Sequence, residues 1–218
     1  MSVLAHDLRS PLTAIRGAAT LLIESRDALP PERITALLEI IESQAAQMAD
    51  RVEDLLVAAR LDGDRLRLFD EVTDLGGIVA NGLDAARRTA PGRRLRAGGV
   101  IDGILVQADS DRVAQVLRIL LDNAVRYSPE GSWIEVRVES SAAMVRLEIG
   151  DRGQGIPAAE RERIFERFQR LDRGGHGSGL GLFVARGLAR AMGGECGFEP
   201  RSGGGSVFWV TLPHAEEK

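Results

Sequence analysis

Apolar residues recur at steps of three and four along the first sixty positions: Ala5, Leu8, Leu12, Ile15, Ala19 and Leu22, then Leu38, Ile41, Ala45, Met48, Val52, Leu55 and Ala59. That spacing draws one apolar stripe down each of two helices. It predicts a helix from Val3 to Arg26, a turn through Ala28, Leu29, Pro30 and Pro31, and a second helix from Pro31 to Leu61. Pro31 falls near the first helical position, where a missing N–H is harmless. Pro11 has no N–H to give the carbonyl of Asp7, so the first helix should loosen there although its stripe continues in phase. Two striped helices without a third partner leave much of each seam wet, which predicts dimerisation into a four-helix bundle. Asp62-Gly63-Asp64 ends the pattern and divides the chain into units 1–64 and 65–214.

The pattern then changes. Leu66, Leu68 and Val72 predict a strand, Leu75 to Arg88 a helix, and Arg94 to Arg96 and Ile104 to Ala108 two short strands. A strongly apolar helix follows from Asp111 to Val125. Alternation in Ile134, Val136, Val138 and again in Val145, Leu147, Ile149 predicts an antiparallel hairpin. After a stretch broken by glycines come a helix from Leu180 to Met192 and two closing strands, Glu195 to Glu199 and Val207 to Leu212. The expected fold class is α+β: a helical hairpin followed by an α/β sandwich rather than a doubly wound sheet.

Composition narrows the function classes. A length of 218 residues with 44% hydrophobic content is enough for a full core and two units. No run reaches the roughly 18 apolar residues of a membrane span, and no leader pattern is visible, so a cytoplasmic location without membrane contact is expected. Cys196 is the single cysteine, which excludes an internal disulfide and points to packing. The net charge of −4 mixes 28 basic with 32 acidic residues, and aromatics make up 4%, so nucleic-acid binding has no footprint here.

Candidate chemistry begins at Leu4-Ala5-His6-Asp7-Leu8-Arg9-Ser10-Pro11-Leu12. His6 lies one residue off the stripe, at the rim of the expected bundle. Asp7 can orient one ring nitrogen and leave the other as a nucleophile, and Ser10 shares the face of His6. A solvated histidine is the plainer alternative. Asp151-Arg152-Gly153-Gln154-Gly155-Ile156-Pro157 ends a strand with an acid and two glycines, either a plain turn or a place where a carboxylate meets the exocyclic amine of a flat ligand. Gly177-Ser178-Gly179-Leu180-Gly181-Leu182 leads into a helix, either a surface loop or a cradle of amides for phosphates. Asn123 closes an apolar helix, as a helix-terminal asparagine or as an oxygen ligand for Mg²⁺.

The order of these segments resembles the catalytic core of sensor histidine kinases of two-component systems across nearly the whole chain. His6 to Leu12 is similar to that family's H box, Gln115 to Pro129 to its N box, and Asp151 to Gly155 to its G1 box. Arg163-Ile164-Phe165-Glu166-Arg167-Phe168 resembles the F box, and Gly177 to Leu182 the G2 box. The resemblance implies a dimerising phosphoacceptor hairpin joined to a Bergerat-type ATP-binding sandwich. It implies phosphorylation of His6 with Asp7 as acid–base partner, Mg²⁺ held by Asn123, and the adenine amine received by Asp151. Gly153, Gly155, Ile156 and Tyr127 would shape the base pocket. Gly177, Gly179, Leu180 and Gly181 would form the phosphate loop, with Arg126 and Arg170 as cations near ATP. The implied partners are a second copy of the chain and the receiver domain of a response regulator; Thr13, Arg16 and Thr20 are candidate contacts for the latter, or simply a solvated helix face.

Three positions depart from the family pattern. Ile119 stands where a second asparagine is usual, so Mg²⁺ would rest on Asn123 alone and simple ATP hydrolysis is disfavoured. Ser10 replaces the usual threonine or asparagine, which bears on phosphatase activity. The lid between Phe168 and Gly177 is short, and Arg173-Gly174-Gly175-His176 should make it mobile. Only five residues precede His6, so a sensory or anchoring region is expected outside this chain. Two other classes compete with the kinase. A dimeric module that binds nucleotide and signals by conformation would give no phosphohistidine, and a Bergerat-fold ATPase or serine kinase would give alkali-labile phosphoserine.

Overall fold

The computed structural model describes residues 3–25, 28–63, 66–99, 103–171 and 178–215, with side chains from residue 9 onward. Helix α1 (Val3–Ser25) and helix α2 (Pro31–Asp62) form the hairpin. The first runs unbroken through Pro11, next to which the Thr13 hydroxyl donates to the Arg9 carbonyl at 2.8 Å. Pro30 and Pro31 start α2, and Gly63 ends it.

The second unit contains β1 (Val72–Asp74), α3 (Leu75–Thr89), β2 (Arg94–Gly98), β3 (Leu105–Gln107), α4 (Ser110–Tyr127), β4 (Trp133–Ser140), β5 (Met144–Gly150), α5 (Gly181–Ala191), β6 (Glu195–Pro200) and β7 (Ser206–Pro213). Five strands form one sheet in the order β2-β4-β5-β7-β6, and β1 pairs with β3 in a separate ribbon. All the ladders are antiparallel except β2 with β4, which is parallel because α4 crosses between them. Helices α3, α4 and α5 cover one face of the sheet. Leu75, Val79, Leu117, Leu120, Val184 and Leu188 pack there against Ile134, Val136, Leu147, Ile149 and Val210. Cys196 is fully buried in this core, and burial pushes its thiol up to about 12, which fits a packing residue.

One expected element needs correction. The strand expected from Leu66 to Val72 begins only at Val72. Leu66 and Leu68 pack on the core from an extended segment, where the Phe69 N–H donates to the buried Asp109 carboxylate at 2.9 Å instead of entering a ladder. Val57 and Ala58 of α2 reach into the core of the sheet unit. No helix among the described residues is long and apolar enough to cross a membrane.

Candidate functional site

Helix α4 is the spine of the site. The Asp109 side chain caps it by accepting from Arg112 N–H at 3.1 Å, and the buried face Val113, Val116, Leu117, Leu120 and Ala124 fixes its rotation. Asn123, Arg126 and Tyr127 of its last turns line an open cleft of about 1630 Å³. The Arg126 guanidinium lies 5.3 Å from the centre of the Tyr127 ring.

Asp151 follows β5 and is 2% exposed. Its Oδ1 accepts from Gly153 N–H at 2.7 Å and from Ser206 N–H at 3.2 Å. Its backbone is pinned too: its N–H donates to the Ser206 carbonyl at 2.8 Å, and its carbonyl accepts from Arg201 at 3.1 Å. Burial raises the carboxyl above its ordinary 3.8, while the Gly153 and Ser206 hydrogen bonds and the charge of Arg201 pull it back. Residue 153 has to be glycine, since a Cβ there would stand 2.6 Å from the Tyr127 carbonyl oxygen. Gly153, Gly155 and Ile156 line the same cleft. Ser206 and Arg201 were not singled out from sequence. They lie more than forty residues beyond Asp151 in the closing strand pair, and the only local signal is the Gly203-Gly204-Gly205 run, which reads as a turn.

The far wall is a backbone clasp. Phe168 sits at φ +60 and donates its N–H to the Gly179 carbonyl at 2.9 Å. Gly179 has φ +70, and a Cβ on it would meet the Gln169 carbonyl oxygen at 2.7 Å, so the two segments touch backbone to backbone. Arg170 lines the cleft here, and one of its terminal nitrogens is buried with no hydrogen-bond partner among the described residues. A buried donor of this kind suits an anionic ligand. Gly181 opens α5 against the Ile119 side chain, whose Cγ2 would lie 3.1 Å from a Cβ at 181. Ile119 is thus a buried apolar wall beside the N-terminus of α5 and offers no oxygen ligand.

Other expected residues are placed differently. Leu180 belongs to the core and not to the cleft lining, and its N–H is held by the Ser178 hydroxyl at 3.2 Å. Ser10 is exposed on α1. His6 and Asp7 lie within α1, but their side chains fall outside the described residues, as do Gly177 and His176 entirely.

The cleft is not closed by the sheet unit alone. Residues of α2 from Ala36 to Asp54 form its opposite wall. They are held there by polar contacts that sequence reading missed, because charged residues on a helix read as a solvated face. Asp54 Oδ1 accepts from Gln115 at 2.8 Å and Arg118 at 2.7 Å, and Glu53 pairs with Arg112 at 2.8 Å. Among the described residues no three His, Cys, Asp or Glu side chains gather as a metal cage. An amide such as Asn123 beside phosphate oxygens and waters is the kind of donor set that Mg²⁺ accepts.

A family model described as histidine kinase-, DNA gyrase B- and HSP90-like ATPase matches residues 108–216, and a His kinase A (phospho-acceptor) domain model matches residues 1–64. The adaptive-response sensory kinase SasA of Thermosynechococcus vestitus is 35% identical over 223 residues, covering 98% of this chain and 59% of that protein. Full-length ShkA, solved in complex with AMPPNP, superposes with a TM-score of 0.70 at 28% identity over 98% of this chain and 45% of its own. The Acinetobacter baumannii histidine kinase AdeS gives a TM-score of 0.65 at 26% identity over 97% of this chain and 98% of its own. The chain spans between 24% and 59% of the length of the curated relatives it matches. With a phospho-acceptor hairpin ahead of an ATPase sandwich of this type, the chain belongs to the sensor histidine kinase family.

Proposed function

We propose that this chain is an ATP-dependent protein-histidine kinase core that phosphorylates His6 and passes the phosphoryl group to an aspartate of a response regulator. The observation that carries the reading is the shared cleft: one wall holds Asn123, Asp151 and Arg170, and the other is α2 of the hairpin. Helix geometry adds the height of the target. With Ser25 opposite Pro31 across the turn and about 1.5 Å of rise per residue on both helices, His6 stands level with roughly Asp50. Asp50 lines that cleft.

In this reading the Asp151 carboxylate accepts from the adenine amine. Asparagine at 151 would be a poor substitute, because with Oδ1 holding two backbone donors its NH₂ would face a third. Tyr127 and Ile156 flank the base, while Arg170, Arg126 and the amides around Gly179 and Gly181 hold the phosphates. Gly177 lies outside the described residues and would join that loop by its place in the motif. Mg²⁺, when bound at Asn123, neutralises the charge that builds on the phosphate oxygens. One ring nitrogen of His6 attacks the γ-phosphorus, the bond to the bridging oxygen breaks, ADP leaves, and the proton on the other nitrogen of the attacking ring passes to Asp7. Ser10 lies one turn away, where its hydroxyl bears on dephosphorylation of the partner's aspartyl phosphate by water. The wet apolar residues of the hairpin support a homodimer.

The test is incubation with radiolabelled ATP and Mg²⁺, followed by acid and alkali treatment of the labelled protein, with His6→Ala and Asn123→Ala alongside. Acid-labile, alkali-stable label that both substitutions remove is the expected result. AMPPNP binding without any label would favour a second reading that Ile119 supports: a dimer that binds nucleotide and signals by conformation. Alkali-labile label would sink both.

A further inference from the structure

Arg167 touches the hairpin and α5 at once and stands two residues before Gln169, which lines the cleft. Its guanidinium pairs with the Asp62 carboxylate and donates to the Ala58 carbonyl, both on the last turns of α2. That is the end of a helix where a cation also meets the negative pole of the backbone dipoles. The same guanidinium lies 4.5 Å from the centre of the Phe183 ring in the first turn of α5. The fit around it is tight: Leu61 of α2 abuts α5 so closely that a Cβ on Gly187 would stand 2.4 Å from its Cδ1.

The clasp begins at the very next residue. Phe168 takes a left-handed conformation that an aromatic residue disfavours, and such a conformation persists only where its surroundings over-determine it. Here it is fixed from one side by Arg167 on α2 and α5, and from the other by the hydrogen bond to Gly179. Arg170, whose buried nitrogen has no partner among the described residues, hangs directly from this clasp.

We propose that Arg167 is a positioning residue that registers the phosphate end of the cleft against the last turn of α2. Nucleotide that engages Arg170 then tightens that turn, and a shift of the turn moves Arg170; the coupling is reciprocal by linkage. The proposal rests on the reading of the cleft as a nucleotide site. An exposed Arg–Asp pair alone would carry little coupling. The combination of ion pair, helix-end carbonyl and aromatic face is specific to arginine, because a lysine ammonium has no planar fork to serve all three.

The experiment measures amide hydrogen exchange across residues 57–63 of the whole chain with and without AMPPNP and Mg²⁺. The variants are Arg167→Ala, Arg167→Lys and Asp62→Asn. In the unsubstituted protein nucleotide should slow exchange there by about tenfold. In Arg167→Ala and Asp62→Asn the slowing should fall below about twofold while AMPPNP affinity stays within about threefold, and Arg167→Lys should fall between. Transfer to His6 should drop about tenfold in kcat at unchanged KM for ATP. If Arg167→Ala misfolds, Asp62→Asn decides, since it alters the hairpin side alone. AMPPNP binding that leaves residues 57–63 unaffected, or a full response in Asp62→Asn and Arg167→Lys, overturns the proposal. Failure of the unsubstituted chain to bind AMPPNP overturns the nucleotide reading and the proposal with it.

Discussion

The hairpin and the sheet unit carry apolar residues at the same helical spacing and treat them in opposite ways. In the sheet unit Leu75, Val79, Leu120 and Leu188 are sealed between helices and sheet. In the hairpin Leu12 is 53% exposed, Ile23 81%, Leu38 53% and Leu56 44%, while Ala18 and Leu37 are buried. A period of three and four shows that a helix has a face, but it does not show what covers that face. One antiparallel neighbour can cover only part of each hairpin helix. The C-terminal turns of α2 are the exception, with Val57 and Ala58 inside the core of the sheet unit. The two regions are therefore separate in their covering but joined along the C-terminal turns of α2.

The largest effect should come from breaking that contrast directly. Leu120→Ala empties a site sealed on all sides and should cost about 2–5 kcal/mol in urea unfolding. Leu56→Ala removes an equal volume from a wet surface, and its cost should stay within about 0.5 kcal/mol for the isolated chain. Equal losses would mean that the hairpin face is covered in solution, by the chain itself or by a second copy.

Covering of that face by a second copy is tested next. Leu38→Glu together with Leu56→Glu places charge on two positions that each contribute about 1.5–3 kcal/mol when buried. Sedimentation should show the dimer weakened by at least about a hundredfold, while AMPPNP affinity in the sheet unit stays the same. A smaller effect is expected inside the cleft. Gly153→Ala puts a methyl 2.6 Å from the Tyr127 carbonyl oxygen and 3.0 Å from Asp151 Oδ1, so both must shift, and calorimetric titration with AMPPNP should show a loss of about tenfold to a hundredfold.

These contrasts also mark what could be read from the chain. The hairpin helices were legible almost to the residue, because their period is long and regular and because Pro30-Pro31 and Gly63 punctuate it. Asn123, Tyr127, Asp151 and Gly153 were legible as motif residues, and they do gather at one cleft. The sequence left unmarked the residues that hold them from a distance. Ser206 and Arg201 fix Asp151 through a strand pairing that no local pattern announces, and Arg167 is hidden in a motif otherwise read for its phenylalanines. The segment from Leu66 to Glu71 has alternation suited to a strand, but its backbone is spent on Asp109 and Ala108.

The smallest effect lies at the joint between the regions, where Asp54 is buried between α2 and α4. Burial raises its pKa above 3.8, and Arg118 and Gln115 only partly oppose this. An acid with a higher pKa in the folded than in the unfolded chain binds its proton more readily when folded. Its contribution to stability is therefore full below the unfolded value and is lost as pH rises through the folded one. At neutral pH the charge is a net burden on the joint, even though both hydrogen bonds are made. Both of them end on Oδ1, which an asparagine amide oxygen can replace. Asp54→Asn should thus leave stability at pH 8 equal to or above that of the unsubstituted chain, within about 1 kcal/mol. It should also remove the Asp54 part of the decline between pH 4 and pH 8. Urea unfolding at the two ends of that range reads both effects. A loss above about 2 kcal/mol at pH 8 would show instead that the joint is held by charge, because only a net-favourable buried ion pair would be missed that much on becoming a neutral hydrogen bond.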